Sequence, residues 1–482
     1  MRALIVIAFL FSAFTSWSQG VVGSITDLRT YQRSDTEYTF HASIQPAIRL
    51  KIPRMALSYR REKAAYINTR NFFGLSLCPD LAAQYDTSLF YRSAAGLSLE
   101  ALYRNKFYAR ANVTAGWSTR EGLNQTHTAF LPLHSRNDYI YLDVRARIAY
   151  TPNKMLHLST GIDNQFFGEG ARSLIQGDQA APNPFAMMRV NFWRLEYGLL
   201  YQFFNENSLQ KRDWKFATTH YLSYNVTRNW NLTLFETVLF QPKDSTFNRA
   251  FEVEYLNPIV FFRPQEYSLG SSDNVLLALQ SSYTFKKSTV YAQLSLDEFV
   301  LKEIRARSKW WANKYGAQIG LKGRIGKSFY RVEANIVRPY TYAHINSGQN
   351  YGNLGRALGH PLGSNFAELL AEFQSTSKRN LQLKAYGIFQ LQGLDEGTIS
   401  WGGNVYENYL LRPKEYGNTI GQGITVRTVR LGCELGYPVP AVNGKVYIDP
   451  QIAYRWGDLP SKATPAITAG FRSDLFQPRR RF

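Results

Sequence analysis

Apolar and polar residues alternate with a period of two along most of this chain. Between Phe107 and Trp117, the residues Phe107, Ala109, Ala111, Val113, Ala115 and Trp117 form one set, with Lys106, Tyr108, Arg110, Asn112 and Thr114 between them. The stretch Ile140 to Tyr150 sets Ile140, Leu142, Val144, Ala146 and Ile148 against Asp143, Arg145 and Arg147. Tyr315, Ala317, Ile319, Leu321 and Ile325 oppose Lys314, Gln318, Lys322 and Arg324. Leu381, Leu383, Ala385, Phe389 and Leu391 oppose Gln382, Lys384 and Gln390, and Val446, Ile448, Ile452 and Tyr454 oppose Asp449, Gln451 and Arg455. Successive side chains of a strand point to opposite faces, so each run predicts a strand with one apolar and one polar face.

Several runs reach about ten residues, the length a tilted strand needs to cross hydrocarbon. Strands of water-soluble proteins are nearer five or six residues. Less regular runs lie near 37–50, 89–103, 155–163, 186–204, 214–226, 230–240, 274–286, 289–299, 328–338, 365–375, 421–436 and 464–476. Together they predict about sixteen to eighteen strands, in an all-β, transmembrane, antiparallel up-and-down barrel. Gly326-Lys327-Ser328 and Lys286-Lys287-Ser288 read as tight periplasmic turns. The polar segments 119–138, 164–185, 241–257, 340–364 and 392–420 read as extracellular loops or lumen plugs. Residues 51–85 fit the alternation poorly. Within them, Arg54 to Ile67, with Arg60, Arg61, Glu62 and Lys63, reads equally as a short helix packed in or under the barrel and as a loop. No linker or composition shift divides the chain, so one barrel domain over 19–482 is the economical expectation.

The first eighteen residues read as a cleavable secretory signal. Arg2 is their one charge, Ala3 to Phe14 is an apolar run, and Ser16 and Ser18 place small residues at −3 and −1 before Gln19. The run is too short for a membrane helix, which needs roughly 20 apolar residues. A mean hydropathy of −0.30 suits strands that send only half their side chains to lipid. The 31 Tyr, 31 Phe and 9 Trp suit aromatic girdles at the two membrane surfaces. Removing Arg2 takes the net charge from +20 to +19. On an exported protein this points away from nucleic acid and towards acidic polysaccharide or lipopolysaccharide phosphates. Cys78 and Cys433 allow one long-range disulfide and are far too few for a disulfide scaffold. The seven His are scattered without ligand spacing, and no Gly-x-Ser-x-Gly, His-Glu-x-x-His or Gly-Lys-Ser/Thr signature occurs. The expectation is a non-enzyme without metal or cofactor. Phe482, with Phe476 closing the last run, suits recognition by barrel-insertion machinery, although Pro478-Arg479-Arg480-Arg481 interrupts the strand.

The segment beginning Gly161-Ile162-Asp163 continues as Phe166-Phe167-Gly168-Glu169-Gly170, then Ser173-Leu174, then Asp178-Gln179-Ala180-Ala181-Pro182. This order of Phe-Gly-x-Gly, Ser-Leu and Asp-x-Ala-x-Pro resembles the capsule-assembly (Wzi-type) outer-membrane barrel family. Glu254-Tyr255-Leu256-Asn257-Pro258 and Gly359-His360-Pro361-Leu362-Gly363-Ser364-Asn365-Phe366 are similar to its Bacteroidetes branch, which is associated with gliding motility and surface polysaccharide. The resemblance implies an eighteen-stranded barrel, a plugged lumen and lectin-like attachment of polysaccharide at the cell surface.

If the apolar faces meet lipid, Arg110, Arg145, Arg147, Lys322, Arg324, Lys384 and Arg455 project inward, and guanidinium groups recognise carboxylates in bidentate fashion. Trp310, Trp311, Tyr340, Tyr342 and Trp401 are candidates to pack on sugar faces from the loops. The plainer alternative pairs each inward Arg with a barrel carboxylate such as Asp143 or Glu333 and makes rim rings membrane anchors. In the Gly168–Pro184 loop, Glu169, Arg172 and Asp178 are candidates for a binding element. Gly168 and Gly170 as turn residues, and Pro182 and Pro184 as stiffeners, favour a structural role. His360 before Pro361 reads as a loop-packing residue. The expected partners are anionic surface polysaccharide or lipopolysaccharide, outer-membrane lipid, and other outer-membrane motility or secretion proteins. A porin, a complex scaffold and a soluble secreted β-protein are the rivals.

Overall fold

Regular alternation produces regular strands, and eighteen of them hydrogen-bond in antiparallel succession until the last returns to the first. The computed structural model describes residues 43–45, 72–119, 133–135, 138–205, 214–242, 255, 273–439 and 444–473. The first six barrel strands are β1 Phe72–Tyr85, β2 Leu89–Tyr103, β3 Phe107–Ser118, β4 Asp138–Tyr150, β5 Leu156–Asp163 and β6 Asn183–Phe192. Next come β7 Leu195–Asn205, β8 Trp214–Asn225, β9 Trp230–Phe240, β10 Asn274–Phe285, β11 Ser288–Glu298 and β12 Lys314–Ile325. The last six are β13 Ser328–Val337, β14 Phe366–Thr376, β15 Gln382–Leu394, β16 Ile424–Val439, β17 Gly444–Gly457 and β18 Lys462–Ser473. Pairing of β1 with β18, from Asp80 opposite Arg472 to Tyr85 opposite Ile467, closes the cylinder.

The burial pattern inverts that of a water-soluble core. Ile319 is 60% exposed on the outer wall, whereas Lys322 and Glu333, facing inward, are 1% and 0% exposed. A closed sheet with this pattern leaves no backbone group unpaired where acyl chains replace water. Exposed rings cluster near both ends of the strands. Tyr103, Phe107, Trp193, Trp230 and Tyr437 are at one end, and Tyr85, Tyr91, Trp117 and Trp214 are at the other. No helix among the described residues is long and apolar enough to cross a membrane, and α1, Leu301–Arg305, has five residues.

The two ends differ. At one, connections are short, with two residues at Lys286-Lys287 and Gly326-Lys327, as the sequence predicts. The other carries the segments 164–182, 338–365 and 395–423, which fold back over or into the lumen. The 186–204 run is two strands and not one, because Trp193-Arg194 makes a two-residue turn with Trp193 at φ 51. Residues 72–85, which alternate poorly in sequence, form a full barrel strand with Phe73, Leu75 and Leu77 outward and Cys78, Asp80 and Ala82 buried. Of the run expected at 37–50, Ile44–Gln45 is described as a short strand paired with Phe166–Phe167 inside the barrel. The signal sequence, the 54–67 segment, and Phe476 and Phe482 lie outside the described residues. Cys78 and Cys433 are not joined in a disulfide.

Candidate functional site

Residues 164–182 are buried almost throughout and form a plug. Phe167 sits among Tyr221 and Phe235 at ring distances of 5.8 and 5.1 Å, in a cluster with Ile44, Ile175, Phe185 and Leu200. Charged residues in the middle of the plug reach the wall at β12 and β14. Glu169 accepts from Lys322 Nζ at 2.6 Å, and Arg172 Nε donates to Glu368 Oε1 at 3.2 Å. Glu333, expected as an arginine partner, instead accepts the backbone N–H groups of Ala171 and Arg172 at 2.7 and 3.1 Å, together with the Tyr291 hydroxyl at 2.7 Å. Gln293 both accepts from Leu174 N and donates to Phe167 O. Buried polar groups are costly unless paired, so this network fixes the loop in one position.

Glu368 on β14 gathers further partners: Gln390 at 2.8 Å and His360 Nε2 at 3.0 Å. Leu362 N–H donates to His360 Nδ1, so the Nε2–H tautomer of a neutral imidazole satisfies both contacts. Burial pushes the His360 pKa down, against the pull of Glu368. His360 thus packs its loop, stacked on Phe366 at 4.2 Å.

The remaining candidates divide by exposure. Arg147 is buried, 3.0 Å from Asp163 and over the Phe185 ring, and Asp178 is buried in the plug. Arg145 contacts Asp143 at 3.2 Å but keeps a quarter of its side chain exposed. Lys384 lies 3.8 Å from Glu372 and is 28% exposed. Arg110, against the Asn112 amide, and Arg455, opposite Thr428, are half-buried on the inner wall, as is Arg324 near the short-turn end. Arg430, which the sequence reading passed over, joins them on β16. Apart from Arg324 on β12, the half-buried cations stand on β3, β4 and β15–β17, away from the β12 and β14 residues that hold Glu169 and Arg172.

The long-loop end holds a cluster of rings and cations. Trp311 is flanked by Tyr409 at 4.7 Å and Tyr340 at 6.0 Å, with the Arg412 guanidinium 4.0 Å from its ring centre. Lys314 Nζ lies 4.7 Å from the Tyr409 ring. Tyr340 and Tyr342 are not available to sugars. Both are fully buried, their hydroxyls donating to Ser400 O at 3.0 Å and to Leu174 O at 2.6 Å. Trp310 and Trp401 are half-buried. Beside Trp401, a cavity of about 420 Å³ is lined by Gln392, Asp395, Thr398, Ser400, Asn404 and Glu407, among others. Asp395 shapes it by accepting the N–H groups of Trp401, Gly403 and Asn404 at 2.6, 3.3 and 3.1 Å. Lys414 stands over the Trp401 ring at 5.6 Å. Hydroxyl, amide and carboxylate groups make a lining suited to sugar hydroxyls, and Trp401, next to Ser400 in the chain, stands outside that lining. Sequence reasoning missed this cavity because its walls come from an irregular loop with no periodicity to read. Among the described residues no three His, Cys, Asp or Glu side chains converge on a metal-sized site.

No family model and no curated protein sequence matches the chain. Solved structures do. Wzi of Escherichia coli, an outer-membrane protein involved in group 1 capsule assembly and a carbohydrate-binding β-barrel, superposes with a TM-score of 0.60 at 14% identity. The match covers 94% of this chain and 99% of that one. OprD of Pseudomonas aeruginosa matches with a TM-score of 0.45 and 10% identity over 83% of this chain and 94% of that one. OccK5 (OpdH) of the same species matches at 0.42 and 10% over 83% and 97%. The fold is that of outer-membrane barrels.

Proposed function

We propose that this protein is a non-enzymatic outer-membrane barrel, long loops facing the cell exterior, that holds anionic surface polysaccharide at its long-loop end. The observation that carries the reading is the polar cavity lined by Gln392, Asp395, Thr398, Ser400, Asn404 and Glu407, at the end whose lumen the chain stoppers with its own loop. The likeness in fold to a carbohydrate-binding barrel supports it. Trp401 supplies a stacking face and Lys414 a positive charge, whereas Arg412 is paired with Glu415. The half-exposed Arg110, Arg145, Lys384 and Arg455 extend that charge down the inner wall. Glu169, Arg172, Lys322, Arg147 and Asp178 hold the plug and act as positioning residues. In this reading residues 1–18 are the export signal, and the biological setting is adhesion or gliding on a polysaccharide layer. The test is titration of the purified barrel with the organism's own capsular or exopolysaccharide. Binding at low salt that weakens at least tenfold in Trp401→Ala and Lys414→Ala supports the reading, and no binding at low salt overturns it.

A channel reading draws on one observation, the half-exposed cationic sector formed by β15–β18 and β1–β4. Planar-bilayer recording separates the two. A stoppered barrel stays silent, whereas an anion channel conducts and favours chloride over potassium.

A further inference from the structure

Between β11 and β12 the chain makes an arm, residues 299–309, that includes α1. None of the α1 residues is buried. Phe299, Val300, Leu301 and Ile304 are all exposed large apolar side chains, and Leu410 and Leu411 of the β15–β16 connection are exposed at the same end of the barrel. Lys302, Arg305, Arg307 and Lys309 are exposed on the same arm, against a single acid, Glu303. The arm is nevertheless tied down. Val300 N–H donates to Asn313 Oδ1 at 2.7 Å, Gly417 N–H to Ser308 O at 3.0 Å, and Asn418 N–H to Lys309 O at 3.0 Å. Arg307 and Lys309 are held at φ 52 and 53, a conformation that L-residues adopt only where their surroundings fix it.

A fixed segment offering apolar side chains and four cations together is suited to neither water nor hydrocarbon alone. Its place resolves this. The arm begins where β11 ends, at Glu298, on the long-loop side whose exposed rings Tyr85, Tyr91, Trp117 and Trp214 form a girdle, and such a girdle marks the level where acyl chains give way to headgroups. Apolar residues alternating with Lys and Arg, whose charges extend past an apolar stem, are the composition of interfacial segments that bind anionic lipid.

We propose that residues 299–309 form a seat for a phosphorylated glycolipid of the outer leaflet. Phe299, Val300, Leu301 and Ile304 lie against its acyl chains, and Lys302, Arg305, Arg307 and Lys309 surround its phosphates. Charge complementarity and continuity with the outer wall favour this occupant over a protein partner. The proposal rests on the outward orientation of the long loops given above, but not on polysaccharide binding.

The experiment uses the full barrel in detergent micelles and native mass spectrometry. The probes are a bis-phosphorylated glycolipid, its dephosphorylated form and a zwitterionic phospholipid. Wild type should retain the bis-phosphorylated probe at least tenfold over the other two. The variant Lys302→Glu/Arg305→Glu/Arg307→Glu/Lys309→Glu should lose that preference while keeping the wild-type melting temperature. Equal retention of the three probes by wild type, or an unchanged preference in the variant, overturns the proposal, as does a protein that occupies the arm and excludes the glycolipid. A Leu410→Cys/Cys433→Ser variant on intact cells, its new thiol at the long-loop end but outside the proposed seat, reports orientation separately. Labelling by a membrane-impermeant maleimide upholds the outward arm, and absence of labelling overturns both this proposal and the orientation it needs. Loss of polysaccharide binding alone leaves the glycolipid result standing.

Discussion

Lys322 Nζ and Glu169 Oε2 lie 2.6 Å apart, both buried, although 153 residues separate them in sequence. One is on the wall and the other on the plug, and neither has water to turn to if its partner is removed. Breaking a buried pair from one side leaves an uncompensated charge, which costs about 3–5 kcal/mol. Lys322→Met and Glu169→Gln should each destabilise the docked plug on that scale, with the double variant recovering much of the loss. Limited proteolysis within 164–182 measures this, and single variants as resistant as wild type would contradict the locked plug.

The outer wall gives a sharper contrast. Ile319 stands 60% exposed on β12, three residues before buried Lys322. If acyl chains are its surroundings, Ile319→Arg should cost about 2–4 kcal/mol near the bilayer centre. The same change on a water-facing strand would be close to neutral. Folding titrations in lipid vesicles distinguish these outcomes.

Gly320 faces the other way and makes room for a ring. A Cβ there would meet the Tyr291 ring at 2.3 Å, and Tyr291 donates to Glu333, which in turn holds the backbone of Ala171 and Arg172. Gly320→Ala should therefore cost about 1–3 kcal/mol by overpacking and loosen the plug at a distance. Tyr291→Phe in the same background should recover only part of the loss, because the added Cβ would collide with ring carbons as well as with the hydroxyl. Full recovery would show that the hydroxyl is the source of the strain.

Acid should loosen the 338–365 segment. Burial, aided by the Lys314 charge, lowers the His344 pKa from its ordinary 6.5 to about 4, and burial lowers that of His360 as well. The released segment therefore takes up protons before the docked one does. Docking is strongest above about pH 6.5 and weakens as pH falls, the His344 contribution being lost by about pH 4. Hydrogen exchange, corrected for intrinsic rate, should show protection of 340–362 falling across that window. The fall should be smaller in His344→Gln/His360→Gln. Flat protection between pH 7 and 4.5 would refute the assignment.

The barrel was legible because membrane strands carry their information in a two-residue period. Phe107 to Trp117 and Ile140 to Tyr150 show it without ambiguity, and both are strands with the expected inward and outward sides. Trp193-Arg194 hid a turn within the 186–204 run, because neither residue is a usual turn former and the flanking residues kept the beat. The 72–85 strand hid for another reason: Cys78, Pro79 and the small residues Ala82 and Ala83 blur its polarity, and its register is fixed by β2 and β18. At the site, alternation showed which charges point inward but not what they meet. Lys322 looked like a ligand contact until Glu169 was found against it, and Tyr340 and Tyr342 looked like sugar platforms until their hydroxyls were seen to serve the plug and the loops. Partners brought together over 150 residues or more are a property of the closed fold, which no local pattern encodes.

The plug leaves the wall between β5 and β6 and is fastened on β11 to β14, about seven strands around a ring of eighteen. It thus works as a crossbar as well as a stopper. An empty cylinder of this girth can be squashed towards an oval by its surroundings, since only its hoop of hydrogen bonds opposes the change. A bar tied at both ends fixes one diameter, so lateral pressure falls mainly on the unbraced sector, where the half-buried arginines stand.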